Sequence, residues 1–289
     1  MESENLEPLD TSDAQWLVIE PSRNWFNLRL KAVWHYRELL YFLVWRDVKV
    51  RYKQTALGVL WIILQPMLTT LVFSGIFGLL LQVPTNGIPY PLFVLSGLVP
   101  WQYFSGSLTR SSTSLVDSSN LITKVYFPRL IIPLAAVLSG LVDFLVSFLV
   151  LVVFLFIYRV PLTPKILLLP FFLFLLILTA LGFGLWLTAL NVRYRDVKQL
   201  LPFLVQIWMY LTPVIYSASL IPERFQWLLA INPMTGVVGG FRWSLLGNQM
   251  EQTVAISPVL LLSTGIVFLV LMTGAIYFRH TERTFADVI

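Results

Sequence analysis

The sequence predicts an all-α, polytopic membrane protein with six transmembrane helices, an N-terminal interfacial amphipathic helix and outer re-entrant helices ahead of the last span. Three observations carry this. From Gln54 through Thr109 there is no Asp, Glu, Lys or Arg, and Pro84-Thr85-Asn86-Gly87-Ile88-Pro89 divides that run into two lengths that can each cross a hydrocarbon core. Apolar residues make up 57% of the chain and charged residues only 12%, far from the balance of soluble domains. Finally, the bases gather in segments that one topology places on a single side of the membrane.

In chain order, residues 1–28 are polar, lack helical periodicity and contain Pro8 and Pro21, so a cytosolic segment is expected. Their acidic start is the reverse of a secretory signal, and no cleaved peptide is expected. Over 29–53 a helix is predicted: Leu30, Val33, Trp34, Tyr41, Val44, Trp45, Val48 and Tyr52 share one face, with Lys31, Glu38, Arg46, Lys49 and Lys53 away from it. Its apolar stretch is too short to span, which makes it interfacial, ahead of a transmembrane domain over 54–289. Spans are expected at about 57–80, with Pro66 as a kink, and then at about 90–109, 130–158, 166–190, 199–217 and 256–278. Residues 110–129 carry Arg110, Asp117, Lys124 and Arg129, so they are expected to form a cytosolic segment with a short helix around Ser119 to Tyr126. The stretch 222–246 holds Pro222, Asn232, Pro233 and Arg242 among short apolar runs and reads as re-entrant.

Of the 20 Lys and Arg, all but Arg159, Lys165, Arg224 and Arg242 then fall on the side shared by both termini. The positive-inside rule makes that side the cytosol. Arg46-Asp47-Val48-Lys49 recurs as Arg195-Asp196-Val197-Lys198, each time just before a span, which marks cytosolic helix ends rather than a duplication. Bases such as Lys49, Arg51 and Lys53 can also gather anionic lipid phosphate, at about 1 kcal/mol per base.

Asp143 is the one acid well inside an apolar run. It reads either as a polar contact between helices or as a residue on a pathway, with no second buried charge expected beside it. Aromatics are abundant, with Trp 10, Tyr 11 and Phe 21, and belts and packing explain most of them. Some could instead face a canal and stack on sugar rings; Trp61, Trp101, Tyr103, Phe104, Trp208 and Tyr210 are the candidates.

Cysteine is absent and histidine is limited to His35 and His280, which excludes disulfides and thiolate chemistry and disfavours a metal site. No Gly precedes a Lys, so there is no phosphate-binding loop for ATP. Paired catalytic carboxylates and a Ser/His/Asp set on aqueous loops are also missing, which argues against an enzyme. Work against a gradient would draw its energy from a partner.

An interfacial helix running into the stretch from Trp45 to Gly58, then Trp61 and Gln65-Pro66, Leu98-Val99-Pro100-Trp101, Lys124-Val125-Tyr126-Phe127-Pro128-Arg129, Asn191 to Val197 and Asn232-Pro233-Met234, closely resembles the membrane subunit of type-2 ABC exporters for polysaccharide and polyol phosphate. The resemblance implies a homodimer with two copies of a separate ATPase, which binds the ATP and Mg; no cofactor is implied in this chain. The substrate implied is an undecaprenyl-pyrophosphate-linked or other lipid-linked polysaccharide such as O antigen, moved outward across a bacterial inner membrane. It also implies that Asn120, Lys124, Tyr126, Phe127 and Pro128 couple to the ATPase, and that Pro222, Asn232, Pro233 and Arg242 belong to an outer gate. Membrane lipids are expected partners and nucleic acid is not. Export of a teichoic-acid-like polymer, lipid or drug by the same fold, and a membrane scaffold or enzyme of envelope glycan synthesis, remain as alternatives.

Overall fold

The computed structural model describes residues 30–53, 58, 60–85, 87–161, 163–247, 258–282 and 285. The expected segment 1–28, the approach to the first span at Gln54–Leu57 and the start of the last at Ile256 lie outside the described residues. Among the described residues every regular element is helical: α1 (Leu30–His35), α2 (Arg37–Tyr52), α3 (Leu60–Phe73) continuing as a π-helix (Ser74–Leu80), α4 (Tyr90–Asp117), α5 (Ser119–Lys124), α6 (Ile131–Ile157), a 3-10 turn (Pro164–Leu168) running into α7 (Leu169–Arg193), α8 (Val197–Leu211), α9 (Glu223–Ile231), α10 (Pro233–Leu246) and α11 (Pro258–Thr281). The stretches Leu60–Leu80, Ile131–Ile157, Pro164–Arg193 and Val259–Thr281 are long and apolar enough to cross a membrane.

The helix expected over 29–53 is two pieces, divided at Tyr36, whose φ of −92° and ψ of 24° leave the helical region. Two faces of α2 are apolar. Tyr36, Leu39, Leu40, Leu43 and Val44, at helical spacing, pack on Leu115, Phe127, Ile131 and Phe278. Tyr41, Phe42 and Trp45 stay exposed, as does Trp34 of α1. The stripe read from sequence mixes the two faces, because periodicity marks apolar residues without saying which neighbour covers them.

α3 passes through Pro66, and the change in winding falls instead at Ser74–Leu80, where Gly75 and Gly78 permit a wider turn. The turn leading into α3 places Gly58 at φ +48°, with Trp61 N–H donating to its carbonyl at 3.3 Å.

α4 is the centre of the bundle, packed against α3, α6, α7, α8 and α10. Its 28 residues extend about 42 Å. Sequence reasoning ends this span near Thr109 and sends Arg110 onward into a cytosolic segment; the helix instead continues to Asp117, and Ser107, Ser111 and Ser112 are buried. A neighbouring helix bonds to the backbone of this stretch in place of water, and Ser107 and Ser112 pair within α4 itself. Thr188 Oγ1 donates to the Ser111 carbonyl at 2.6 Å, and Asn191 Nδ2 donates to the Ser112 carbonyl at 3.0 Å. Bonds of this kind contribute about 0.6 kcal/mol each in a membrane bundle. The short helix expected after it is present as α5.

α7 and α11 cross closely: a Cβ added at Gly182 would stand 2.9 Å from the Leu271 backbone. Trp186 stacks on Tyr277 beside that crossing, with ring centroids 4.4 Å apart. α8 stops at Leu211 because Thr212, preceding Pro213, is extended. The expected 199–217 span is therefore 15 helical residues followed by an irregular segment. Asn232 caps α10, its Oδ1 accepting from Met234 N at 3.1 Å with Pro233 in the first turn.

Candidate functional site

A cleft of about 670 Å³ opens between the end of α2, the start of α3, the middle of α4 and α6. Its polar floor is built by side chains far apart in sequence. Asp143 on α6 forms an ion pair with Arg51 through Oδ2, and Arg110 Nη1 of α4 stands 3.7 Å from the same oxygen. The other carboxylate oxygen accepts from the Tyr52 hydroxyl. Burial, with Asp143 alongside, pushes the Tyr52 phenol upward, so it stays a donor.

The guanidiniums have further supports. Arg51 Nη2 donates to Ser139 Oγ at 3.1 Å; Arg110 Nη2 donates to Ser107 Oγ at 3.2 Å and its Nε to the Ala136 carbonyl at 3.5 Å. Helical periodicity explains these sets, since Ser139 and Asp143 are four residues apart on one face and Ser107 and Arg110 three apart on another. Glycine makes the seat: a Cβ at Gly106 would lie 2.9 Å from Arg110 Nη1, and one at Gly140 would overlap Nη2. All three charged side chains keep roughly a quarter of their surface open. Two guanidiniums against one carboxylate leave the cleft net positive. Trp61, Gln65, Gln102, Tyr103, Phe144 and Ser147 complete a wall of mixed polarity.

The sequence leads one to expect no second buried charge beside Asp143, and the structure corrects this with two part-buried guanidiniums. Arg51 and Arg110 reach it from two other helices. Arg110 was missed as a site residue because hydropathy assigned it to a loop; the signal available was Gly106, one turn earlier, leaving room for a long side chain. Of the bases expected at the inner surface, Arg51 lines the cleft, whereas Lys49 and Lys53 are exposed.

The candidate aromatics divide. Trp61 and Tyr103 line the cleft, Tyr103 also donating to the Val137 carbonyl at 3.2 Å. Trp101, Phe104 and Trp208 pack with Phe183 inside the bundle, with Phe104 and Trp208 perpendicular at 5.1 Å and Phe183 and Trp208 at 4.8 Å. Trp208 Nε1 then donates to Asn232 Oδ1 at 3.0 Å, tying α8 to the cap of α10. Tyr210 is exposed.

At the end of the bundle where α4 begins, Arg242 of α10 is fully enclosed. It donates to the Pro213 carbonyl at 2.6 Å, to the Phe93 carbonyl at 3.2 Å and to the Val214 carbonyl, with its guanidinium carbon 3.8 Å from the centre of the Phe93 ring. Pro222 lies just before α9, as its N-cap. At the opposite end, Asn120, Lys124 and Tyr126 are exposed while Phe127 is buried against α2 and α6. Phe127 therefore anchors the segment, and Arg129 fastens it to the Glu282 carbonyl.

Two guanidiniums in a half-open cleft suit recognition of an anion and its attached group. Among the described residues no cluster of three or more His, Asp or Glu could hold a metal ion.

The ABC-2 type transporter family model matches residues 38–246. The chain is 32% identical over 253 residues to an O-antigen export system permease protein, RfbA, of Klebsiella pneumoniae, covering 87% of this chain and 95% of that one. It is 30% identical over 263 residues to the RfbA of Myxococcus xanthus, covering 90% and 98%. The polysialic acid transport protein KpsM of Escherichia coli is 24% identical over 239 residues, covering 82% and 91%. With the matched region running from α2 through the last residue of α10, across the cleft and the Arg242 brace, this chain is a multi-pass membrane protein of the ABC-2 type transporter family.

Proposed function

We propose that this chain is the transmembrane subunit of an ATP-driven exporter that moves a polysaccharide such as O antigen out across a bacterial inner membrane. The observation that supports this most is near end-to-end similarity, at 30–32% identity, to permeases named for O-antigen export. The charged cleft is the part of the structure that fits it. ATP and Mg belong to a separate subunit, since the chain has no phosphate-binding loop.

The topology that fits has six spans. α4 and α8 join the four apolar stretches, with α9 and α10 re-entrant on the outer side, α1 and α2 in the inner interface and both termini cytosolic. The exposed aromatic face of α2 then meets lipid, while Arg51 at its end reaches the cleft. A bundle of this size is too small to enclose a glycan path, so the working unit is a homodimer with the path along its two-fold axis, joined to two ATPase copies.

In this mechanism Lys49, Arg51 and Lys53 collect the phosphate of a lipid-linked glycan at the inner leaflet. ATP-driven closure of the partner pushes on Asn120, Lys124 and Tyr126, with Phe127 and Pro128 as the stiff root that passes the push to α6. α3 and α8 separate, and the glycan moves past an aromatic-lined canal to a gate formed by α9 and α10. Co-purification of the tagged chain from its native membrane, followed by an ATPase assay with and without undecaprenyl-pyrophosphate-linked glycan, tests this. A stoichiometric ATPase whose turnover responds to the glycan is expected. A chain with no nucleotide-dependent partner would contradict it.

A further inference from the structure

We propose that Arg51, Arg110 and Asp143 form a phosphate-exchange site, in which Asp143 holds the anion position until a phosphate or pyrophosphate group replaces it. This rests on the exporter reading for its substrate. Three donors from two helices converge on the α6 carboxylate: Arg51 and Tyr52 at the end of α2 and Arg110 from α4. A tetrahedral phosphate can take the same donors with more oxygens, because the guanidinium fork matches phosphate and carboxylate alike.

The charge balance favours replacement. One carboxylate leaves a positive charge uncompensated between two guanidiniums, whereas a doubly charged phosphate neutralises both. The arginines would hold their places without Asp143, since Arg51 keeps Ser139 and Arg110 keeps Ser107 and the Ala136 carbonyl.

Access is available from two sides. A second cavity of about 420 Å³ lies between α2, α4 and α6, lined by Arg46, Asp47 and Asp117 among others. Arg51 and Arg110 are the residues common to both cavities, while Asp143 faces only the larger one. The two arginines therefore form the partition between a space bordered by α2 and the last turns of α4 and a space bordered by the α3 helix. A phosphate meeting them from the first would displace Asp143 toward the second. The larger space supplies Gln65 and Gln102 for hydroxyls and Trp61 and Phe144 for apolar faces, which suits a phosphate carrying a sugar or an isoprenoid.

The test uses the intact complex with its ATPase in phosphatidylcholine nanodiscs. One arm titrates inorganic pyrophosphate by calorimetry; the other measures ATP turnover against the content of undecaprenyl pyrophosphate. Asp143→Asn removes the internal competitor and is expected to tighten binding about tenfold. Asp143→Glu should stay near wild type. Arg110→Gln should weaken binding about tenfold, with Arg110→Lys recovering part of the loss. A response in the lipid arm identifies a headgroup as the ligand, and a response to free pyrophosphate alone identifies a soluble phosphate; either sustains the exchange. Unchanged or weaker binding by Asp143→Asn in both arms, from complexes that remain monodisperse, overturns it. Failure of the exporter reading is separate: it would show as a wild-type complex that binds the anion yet moves no glycan.

Discussion

Two arginine sites sit at opposite parts of α4, and their difference separates a brace from a working site. Among the described residues no acid pairs with Arg242; three backbone carbonyls and the Phe93 ring solvate it inside a closed pocket. Fixed dipoles of that kind hold a cation in one place and offer nothing to exchange. Arg51 and Arg110 share a carboxylate that balances only one of them, beside open cavities. The first arrangement ties α10 to α4 and to the irregular segment after α8. The second leaves unspent charge where an anion can reach it.

The largest effect is expected at the brace. Arg242→Leu strips the Pro213 and Val214 carbonyls of their side-chain donor, the Phe93 carbonyl keeping Ser96 Oγ, and should destabilise the protein by about 3 to 5 kcal/mol, seen as a sharply lower unfolding temperature in detergent. Arg242→Lys should recover only part, because an ammonium cannot fork to all three. The adjoining glycines sharpen the contrast. At Gly97 an added Cβ meets Arg242 Nη2 at 2.6 Å and the Val214 carbonyl at 3.0 Å, so Gly97→Ala should cost about 1 to 3 kcal/mol. Gly106→Ala presses on Arg110, which can swing into the cleft, and should cost less than about 1 kcal/mol; equal losses in the same unfolding assay would break the distinction.

Arg51→Gln comes next. Asp143 retains Arg110 and Tyr52, so stability should fall by about 1 kcal/mol or less, while stimulation of ATP turnover by lipid-linked glycan drops about tenfold. Tyr52→Phe is the smallest change. One hydrogen bond to Asp143 is lost, worth about 1 kcal/mol or less, and glycan stimulation should remain within about twofold of wild type in the same turnover assay.

Much of this architecture was legible in the sequence, and the shortfalls share a physical cause. Uncharged stretches between Pro and Gly clusters mark the apolar helices, four of which are long and apolar enough to cross a membrane. Hydropathy treats every Ser, Thr and Arg as seeking water. It therefore ended α4 at Thr109, although Thr188 and Asn191 supply the hydrogen bonds that carry the helix onward. The same assumption sent Arg110 to a loop and left Asp143 without a partner. Local pattern marks Arg51 as an inner-surface base; its contact with α6 spans 92 positions, a separation no local pattern encodes. Phe127, beside the exposed Tyr126, was grouped with it by sequence adjacency; burial gives the two different work.

The proposed outward movement of a lipid-linked polysaccharide, driven by a partner ATPase, is tested most directly in proteoliposomes holding the reconstituted complex, with the ATPase facing outward and glycan-bearing lipid accessible to an added glycosidase. ATP should render the glycan progressively protected, and the protection should vanish when the ATPase is omitted. Glycan that stays fully cleavable while the intact complex hydrolyses ATP, or that becomes protected without ATP, would contradict it.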